Sequence, residues 1–364
     1  MADVPKIKAS LPPGLIVRLG KTVWQTMWQV MMARLAPTDK SGAYTRPASA
    51  FRQTVEPDGA YEPAAGRYRL IVGMGCPWAH RTLVTWALKG LEAAIPLWRV
   101  SPSPNEGVWL FDHPGLGWRS LPELYQTAQA GYGGRSTVPV LWDTQTQTVV
   151  NNESADLIKI LNSAFNAVAV RPDLDLYPED LQATIEAWND RTYPAINNGV
   201  YRCGFARTQA AYEEACTLLF DTLDDIDQQL AHQRYLAGDR LTLADVRLFT
   251  TLFRFDAVYH GLFKCDRRRL CDYRHLWPYA RDLYQQPGVA DTCDLDTIRR
   301  DYYGNLFPLN PGGIIPLGPD PQVWLEAHER TAITSAAAPA APVSNTDSRN
   351  RTPHTILETQ ETRE

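Results

Sequence analysis

Gly75-Cys76-Pro77-Trp78-Ala79 is the stretch on which the fold turns. It follows the apolar run Tyr68-Arg69-Leu70-Ile71-Val72-Gly73-Met74 and precedes His80-Arg81-Thr82-Leu83-Val84-Thr85-Trp86-Ala87-Leu88-Lys89-Gly90. The first run predicts a buried strand and the second a helix. Pro77 suits the first helical position, where a missing N–H is no loss, and Gly90 suits the C-terminal cap. Cys76 then stands at the N-cap, where unpaired N–H groups and the positive end of the helix dipole favour a thiolate over a thiol. Three residues on stands Ala79, so no Cys-x-x-Cys disulfide can close. Cys76 must finish its chemistry with a thiol from elsewhere. A cysteine taken alone reads as a small buried hydrophobe; strand, Cys, Pro and helix in this order favour a reactive one.

Downstream, Ile95-Pro96-Leu97-Trp98-Arg99-Val100 reads as a short strand that completes a β-α-β unit. Residues 101–135 read as a long insertion, and its aromatics Trp109, Phe111, Trp118 and Tyr125 predict an ordered loop over the site. Gly131-Tyr132-Gly133-Gly134 lacks the Lys-Ser/Thr of a phosphate loop and reads as a hinge. A hairpin follows: Val138-Pro139-Val140-Leu141-Trp142-Asp143, a turn, then Thr148-Val149-Val150, with Pro139 unusual because proline cannot donate to a ladder. Glu153-Ser154 then open a helix. A backbone N–H, a hydroxyl and a carboxylate at a helix start suit the α-carboxylate and α-amine of an amino-acid-like ligand, although plain capping explains the pair as well.

From about Pro178 the pattern turns helical. Tyr212, Cys216, Leu219, Leu223, Ile226 and Leu230 mark a long core-facing helix. Thr242 and Asp245 form a capping box, with Leu241 and Val246 as its hydrophobic staple, which is a folding device. The series His260, Cys265, Cys271, His275 matches no standard zinc spacing and carries Arg267-Arg268-Arg269, so no metal is expected. At the other end, residues 1–20 read as an arm. Residues 21–35 read as a helix with one apolar face of Trp24, Met27, Trp28, Met31 and Leu35. That face suits a membrane surface or a partner; packing on its own protein is the simpler expectation. Residues 36–66 form an extended lead-in, and the tail from about Thr334, rich in Ala, Pro, Ser and Thr, is expected to be disordered.

The 364 residues, 44% hydrophobic and 21% charged, are those of a soluble chain with two domains. A net charge of -5 leaves no footprint for nucleic acid. Six scattered cysteines and an N-terminus without a cleavable apolar core predict a reducing cytoplasm. Nowhere do 18 apolar residues run together, so no transmembrane segment is expected.

A β-α-β unit, a Pro-led hairpin, a helix and then an all-helical half form the layout of a glutathione transferase. Five motifs in order resemble the glutathionyl-hydroquinone reductases, the Xi class of that superfamily. They are Cys76-Pro77-Trp78-Ala79-His80-Arg81-Thr82, Val138-Pro139-Val140-Leu141-Trp142-Asp143, Asn152-Glu153-Ser154, Asn197-Asn198-Gly199-Val200-Tyr201-Arg202-Cys203-Gly204-Phe205-Ala206 and Asn310-Pro311-Gly312-Gly313. The resemblance implies an α/β plus all-α fold: an extension over 1–50, a thioredoxin-like glutathione-binding domain over 51–165, a helical C-terminal domain over 178–320 and a tail over 334–364. It implies Cys76 as nucleophile, with Tyr201 and Tyr302 as catalytic partners of the phenolic oxygens. Glutathione would be held by Val138 beside a cis Pro139, by Glu153 and Ser154 at its γ-glutamyl end, and by Trp109 and Arg135. Tyr201 and Tyr302, with Tyr303 as an alternative, would line the quinol pocket. A homodimer is implied, with glutathione as co-substrate and no metal. Two rival functions use the same residues: a general thioltransferase or dehydroascorbate reductase working through Cys76, and a non-enzymatic binding module. The joint presence of Cys76, Val138-Pro139 and Glu153-Ser154 argues against the module.

Overall fold

The computed structural model describes residues 13–44, 48–103 and 105–333. The runs 1–12 and 334–364, and with them the tail, lie outside the described residues. Tyr68–Val72 (β1) is followed by α2, Pro77–Lys89, and then by β2, Leu97–Pro102, two residues later than the sequence pattern suggests. β1 and β2 run parallel with Leu70 opposite Leu97, so α2 is the crossover of the expected β-α-β unit. α2 begins with Pro77 and ends at Gly90, whose φ of 66° is the left-handed cap that glycine adopts without strain.

The insertion is not a loop. It holds a third strand, Trp109–Phe111 (β3), antiparallel to β2, and α3, Leu121–Ala128, with Leu121, Leu124 and Tyr125 buried in the core. Pro122 sits in the first turn of α3, where proline is tolerated. The hairpin is β4, Val140–Asp143, with β5, Thr148–Asn151, in a sheet of order β3-β2-β1-β4-β5. α4, Ser154–Ser163, closes this half.

One apolar core fills the sheet half, from Val55 to Phe165. Val84 and Leu88 of α2 and Ile158 of α4 belong instead to the core of the helical half. Both helices therefore lie between two cores, and α2 buries His80, Arg81, Thr82, Thr85 and Lys89 along with its apolar residues. The N-terminal end of α2 is thereby held where the two halves meet.

The helical half comprises α5 (Gln182–Thr192), α6 (Gly199–Gly204), α7 (Gln209–Gln229), α8 (Leu243–Arg254), the single turn α9 (His260–Leu262), α10 (Leu276–Tyr284) and α11 (Leu295–Asn305). α8 is buried along its whole length and starts at the expected capping box, with Asp245 accepting from the Thr242 N–H and hydroxyl. π-helical turns at Tyr193–Asn197 and Phe255–Tyr259 lead into α6 and α9.

At the N-terminus, α1 spans Pro13–Leu35 and so takes in part of the expected arm. Only its far end packs on the protein, through buried Met32 and partly buried Trp28. Of the expected face, Trp24 and Met27 are about half exposed while Trp28 and Met31 are partly buried, so the face packs on its own chain only toward the end of the helix. Helical periodicity dictates the stripe; it does not dictate what covers it. Among the described residues no helix is long and apolar enough to cross a membrane.

Candidate active site

Cys76 is the N-cap of α2, with φ -77° and ψ 120°, and its carbonyl accepts the first helical bond from the His80 N–H at 2.9 Å. Its Sγ lies 3.8 Å from the Val138 carbonyl oxygen, and the Val138–Pro139 peptide is cis. Cys76 and Val138 open on a cavity of about 300 Å³, also lined by Trp78, Trp109, Arg135, Tyr201, Asp301 and Tyr302. Two glycines allow its walls to close. A Cβ on Gly73 would stand 2.4 Å from the Trp109 ring, and one on Gly75 would stand 2.2 Å from Oδ2 of Asp301.

Beneath the Gly75–Cys76 turn lies the guanidinium of Arg254, fully buried at the end of α8. It donates to the carbonyls of Met74 and Gly75, both at 3.1 Å, and to that of Thr250 at 2.9 Å. Its Nη1 also meets Nδ1 of His80 at 2.8 Å. Burial and the Arg254 charge hold His80 well below the usual imidazole range. The ring is therefore neutral, accepting at Nδ1 and donating from Nε2 to the Thr292 hydroxyl at 3.0 Å. A buried guanidinium so stands behind the turn that carries the thiol and fixes its backbone.

The far wall comes from the helical half. Tyr201 in α6 and Tyr302 in α11 bring their hydroxyls to 2.5 Å across 101 residues of sequence. Tyr259 joins them from behind, 3.1 Å from Tyr302 and 3.5 Å from Tyr201. Trp78 stacks against Tyr201, with centroids 6.2 Å apart. Burial pushes Tyr201 and Tyr302 well above the usual phenol range, so both keep their protons and serve as hydrogen-bonding groups. Asp301, beside Tyr302, moves in the same direction: burial pushes its carboxyl up to about 6, against the Gly75 N–H and the charges of Arg300 and Arg254.

At the start of α4, the Glu153 carboxylate accepts from the Ala155 N–H at 3.1 Å and the Ser49 hydroxyl at 2.8 Å. The Ser154 hydroxyl is buried without a hydrogen-bond partner among the described residues, a cost that a polar ligand would relieve. Glu153 faces a second pocket that shares Trp78 as a wall with the Cys76 cavity.

The structure thus brings Cys76, Trp109, Arg135, Val138, Tyr201 and Tyr302 to one cavity and sets Glu153 in the pocket next door, while Ser154 is buried at the start of α4 and lines neither. Pro139 is buried behind Val138 and is not among the cavity-lining residues. Tyr303, an alternative for the quinol wall, is placed elsewhere: its hydroxyl lies against Gly261 in α9. Neighbours on a helix point about 100° apart, so Tyr302 and Tyr303 cannot both face the cavity. Asp301, Arg254, Tyr259 and Tyr44, which also lines the cavity, escaped the sequence reading. The first was legible as the acid of Asp301-Tyr302-Tyr303; the others carry no local signal. All six cysteines are free. Cys293, 3.6 Å from Nε2 of His80, is pushed up to about 12 by burial and remains a thiol. Among the described residues no group of three His, Cys, Asp or Glu is placed to hold a metal ion.

Two family models match the chain: the glutathione S-transferase N-terminal domain over residues 75–164 and the corresponding C-terminal domain over 209–285. The glutathionyl-hydroquinone reductase YqjG of Escherichia coli is 43% identical over 313 residues, covering 82% of this chain and 93% of that protein. The glutathionyl-hydroquinone reductase PcpF of Sphingobium chlorophenolicum is 43% identical over 305 residues, covering 82% and 94%. Among solved structures, the Xi glutathione transferase of Phanerochaete chrysosporium superposes with a TM-score of 0.75 at 43% identity, covering 78% of this chain and 95% of that one. The glutathione-bound structure of the E. coli protein gives 0.74 at 43% identity, covering 78% and 96%.

Proposed function

Since the chain belongs to the Xi class of the glutathione transferase family, the class of the glutathionyl-hydroquinone reductases, we propose that Cys76 removes glutathione from a glutathionyl-hydroquinone as a mixed disulfide. The observation that carries this reading is the pairing of Cys76 Sγ, at a helix N-terminus, with a facing wall of two protonated phenols. In the keto tautomer of the adduct, the Cys76 thiolate attacks the glutathione sulfur. The carbon–sulfur bond breaks, its electron pair passes into the ring, and the hydroquinone leaves as a phenolate that takes up one proton. A second glutathione, losing one proton, attacks the mixed disulfide and releases oxidised glutathione and the Cys76 thiolate. Tyr201 and Tyr302 hydrogen-bond the ring oxygens.

Glutathione itself lies along the sheet half, residues 51–165. The Val138 backbone meets its cysteinyl part, Glu153 and Ser154 its γ-glutamyl end, and Trp109 and Arg135 the rim. The unpartnered Ser154 hydroxyl supports that orientation. The helical half, residues 178–320, supplies the quinol wall. The protein works as a homodimer in a reducing cytoplasm, which suits six free cysteines.

The test is turnover of glutathionyl-menadiol with glutathione, with mass spectrometry of Cys76 in a sample quenched before glutathione is added. Menadiol release and a glutathione adduct on Cys76 are expected. Reduction of small disulfides with no menadiol release would mark the protein as a general thioltransferase instead.

A further inference from the structure

We infer that Asp301 carries the proton between the two half-reactions, as acid to the departing hydroquinone and then as base to the incoming glutathione thiol. The inference rests on the mixed-disulfide reading above and follows from its proton count. The first half-reaction ends on a phenolate and consumes one proton. The second begins on a thiol and releases one. A single group that gives its proton in the first step and recovers it in the second closes the cycle with no other acid or base.

Few groups are placed to do this. Tyr201 and Tyr302 touch the ring, but burial holds them far above the usual phenol range, so they hydrogen-bond without exchanging a net proton near neutral pH. His80 lies behind the turn with both ring nitrogens engaged, by Arg254 and Thr292. Glu153 is held by Ala155 and Ser49 and faces the neighbouring pocket. Asp301 is the one carboxyl among the described residues that line the Cys76 cavity. Its Oδ2 is pressed so closely on Gly75, next to the nucleophile, that no side chain fits there.

The groups facing Asp301 explain why it titrates where such a carrier must. Arg254 from α8, Arg300 on α11 and the Gly75 N–H favour its anion; burial and Asp294 oppose it, and burial prevails, leaving the carboxyl at about 6. A group of that acidity is populated in both forms near neutrality, the condition for serving as acid and base in turn. The half-reactions must therefore depend on pH in opposite senses. Adduct formation needs the protonated acid and slows as pH rises through about 6, whereas resolution needs the carboxylate and quickens over the same interval.

The experiment measures each half-reaction in a single turnover of the full chain. Glutathionyl-menadiol without free glutathione reads the first. Enzyme loaded on Cys76 with oxidised glutathione, then mixed with reduced glutathione, reads the second. Opposite limbs near pH 6 are expected in the wild type, distinct from the titration of a free thiol at about 8.5. Asp301→Asn keeps an acceptor for the Gly75 N–H, so it should fold, slow both steps by at least about 10-fold and lose both limbs. Added formate should restore part of the rate. Wild-type steps without these limbs overturn the inference and need no variant. So does an Asp301→Asn protein that keeps its rates, or slows while keeping both limbs, which would make the carboxylate a prop for the Gly75 turn. If no adduct forms on wild-type Cys76, the mixed-disulfide reading falls and this one with it; adduct formation with unchanged Asp301→Asn kinetics removes only the proton role.

Discussion

The two walls of the Cys76 cavity are built by different means. On the sheet side, Cys76 and, beside the cavity, Glu153-Ser154 stand at the starts of α2 and α4, where free N–H groups and the helix dipole supply the chemistry. On the helical side, Tyr201, Tyr259 and the adjacent pair Asp301-Tyr302 come from three separate segments, and the phenols meet only because a shared core holds them. The first wall is made by local backbone rules; the second depends on packing at a distance. A substitution on the sheet side should therefore remove one chemical function. On the helical side it should alter how a substrate is held.

The largest effect is expected at Cys76. Cys76→Ser puts a hydroxyl, a far weaker acid than a thiol, at the same N-cap, where it cannot attack sulfur at neutral pH. Turnover of glutathionyl-menadiol should fall by about three orders of magnitude or more, with the melting temperature little changed. Residual activity above about 10% of wild type would show that another group is the nucleophile; that threshold is generous beside the loss expected for a missing nucleophile.

The next effect tests the seam between the walls. Arg254 reaches from α8 to the carbonyls of Met74 and Gly75, so the helical half fixes the turn that presents Cys76. Arg254→Met keeps much of the stem and leaves those buried carbonyls unpaired, which should cost about 3 to 5 kcal/mol in urea unfolding. A loss below about 1 kcal/mol, the ordinary scale of one hydrogen bond, would mean that the turn holds itself.

The same contrast explains what was legible in the sequence. The N-cap of α2, the capping box at Thr242 and Asp245, and the hairpin led by Pro139 are local rules written in neighbouring residues. The long-range partners are not. Nothing near Arg254 marks it as the prop of a turn some 180 positions away, and nothing near Tyr259 marks it as the third phenol. Tyr201 and Tyr302 are reached only through a family resemblance, which stands in for the three-dimensional proximity that spacing cannot give. β3 and α3 were missed because a three-residue strand and an eight-residue helix with Pro122 in its first turn carry too little pattern. The apolar stripe of α1 is legible as a stripe, but its cover is not: Trp28 and Met31 are partly buried and Trp24 and Met27 stay half exposed, since periodicity reports conformation and not cover.

Smaller and more selective losses are expected from the phenols. Tyr201→Phe and Tyr302→Phe each remove a hydroxyl and keep the ring, so packing against Trp78 and Phe263 should persist. Turnover of glutathionyl-menadiol should weaken by roughly 1 to 3 kcal/mol in kcat/KM. Reduction of a small mixed disulfide, which offers no phenolic oxygen, should hardly change. Equal losses on both substrates would place these tyrosines in the structure and outside substrate recognition.

The smallest effect is expected at Ser154, and its sign is what matters. The hydroxyl is buried at the start of α4 and unpartnered among the described residues. A buried polar group in that state destabilises the free protein, and a ligand that bonds it recovers the loss. Ser154→Ala removes the orphan, so the ligand-free protein should melt at the same temperature or slightly higher. Glutathione should bind about 1 kcal/mol more weakly, roughly fivefold, because the variant has no hydroxyl to offer. The thermal shift produced by saturating glutathione should shrink to match. Calorimetric titration and melting with and without glutathione measure both quantities on one sample. If the variant melts lower without ligand and binds glutathione unchanged, Ser154 is a structural cap, and the sheet-side wall binds the γ-glutamyl end through Glu153 and backbone N–H groups alone.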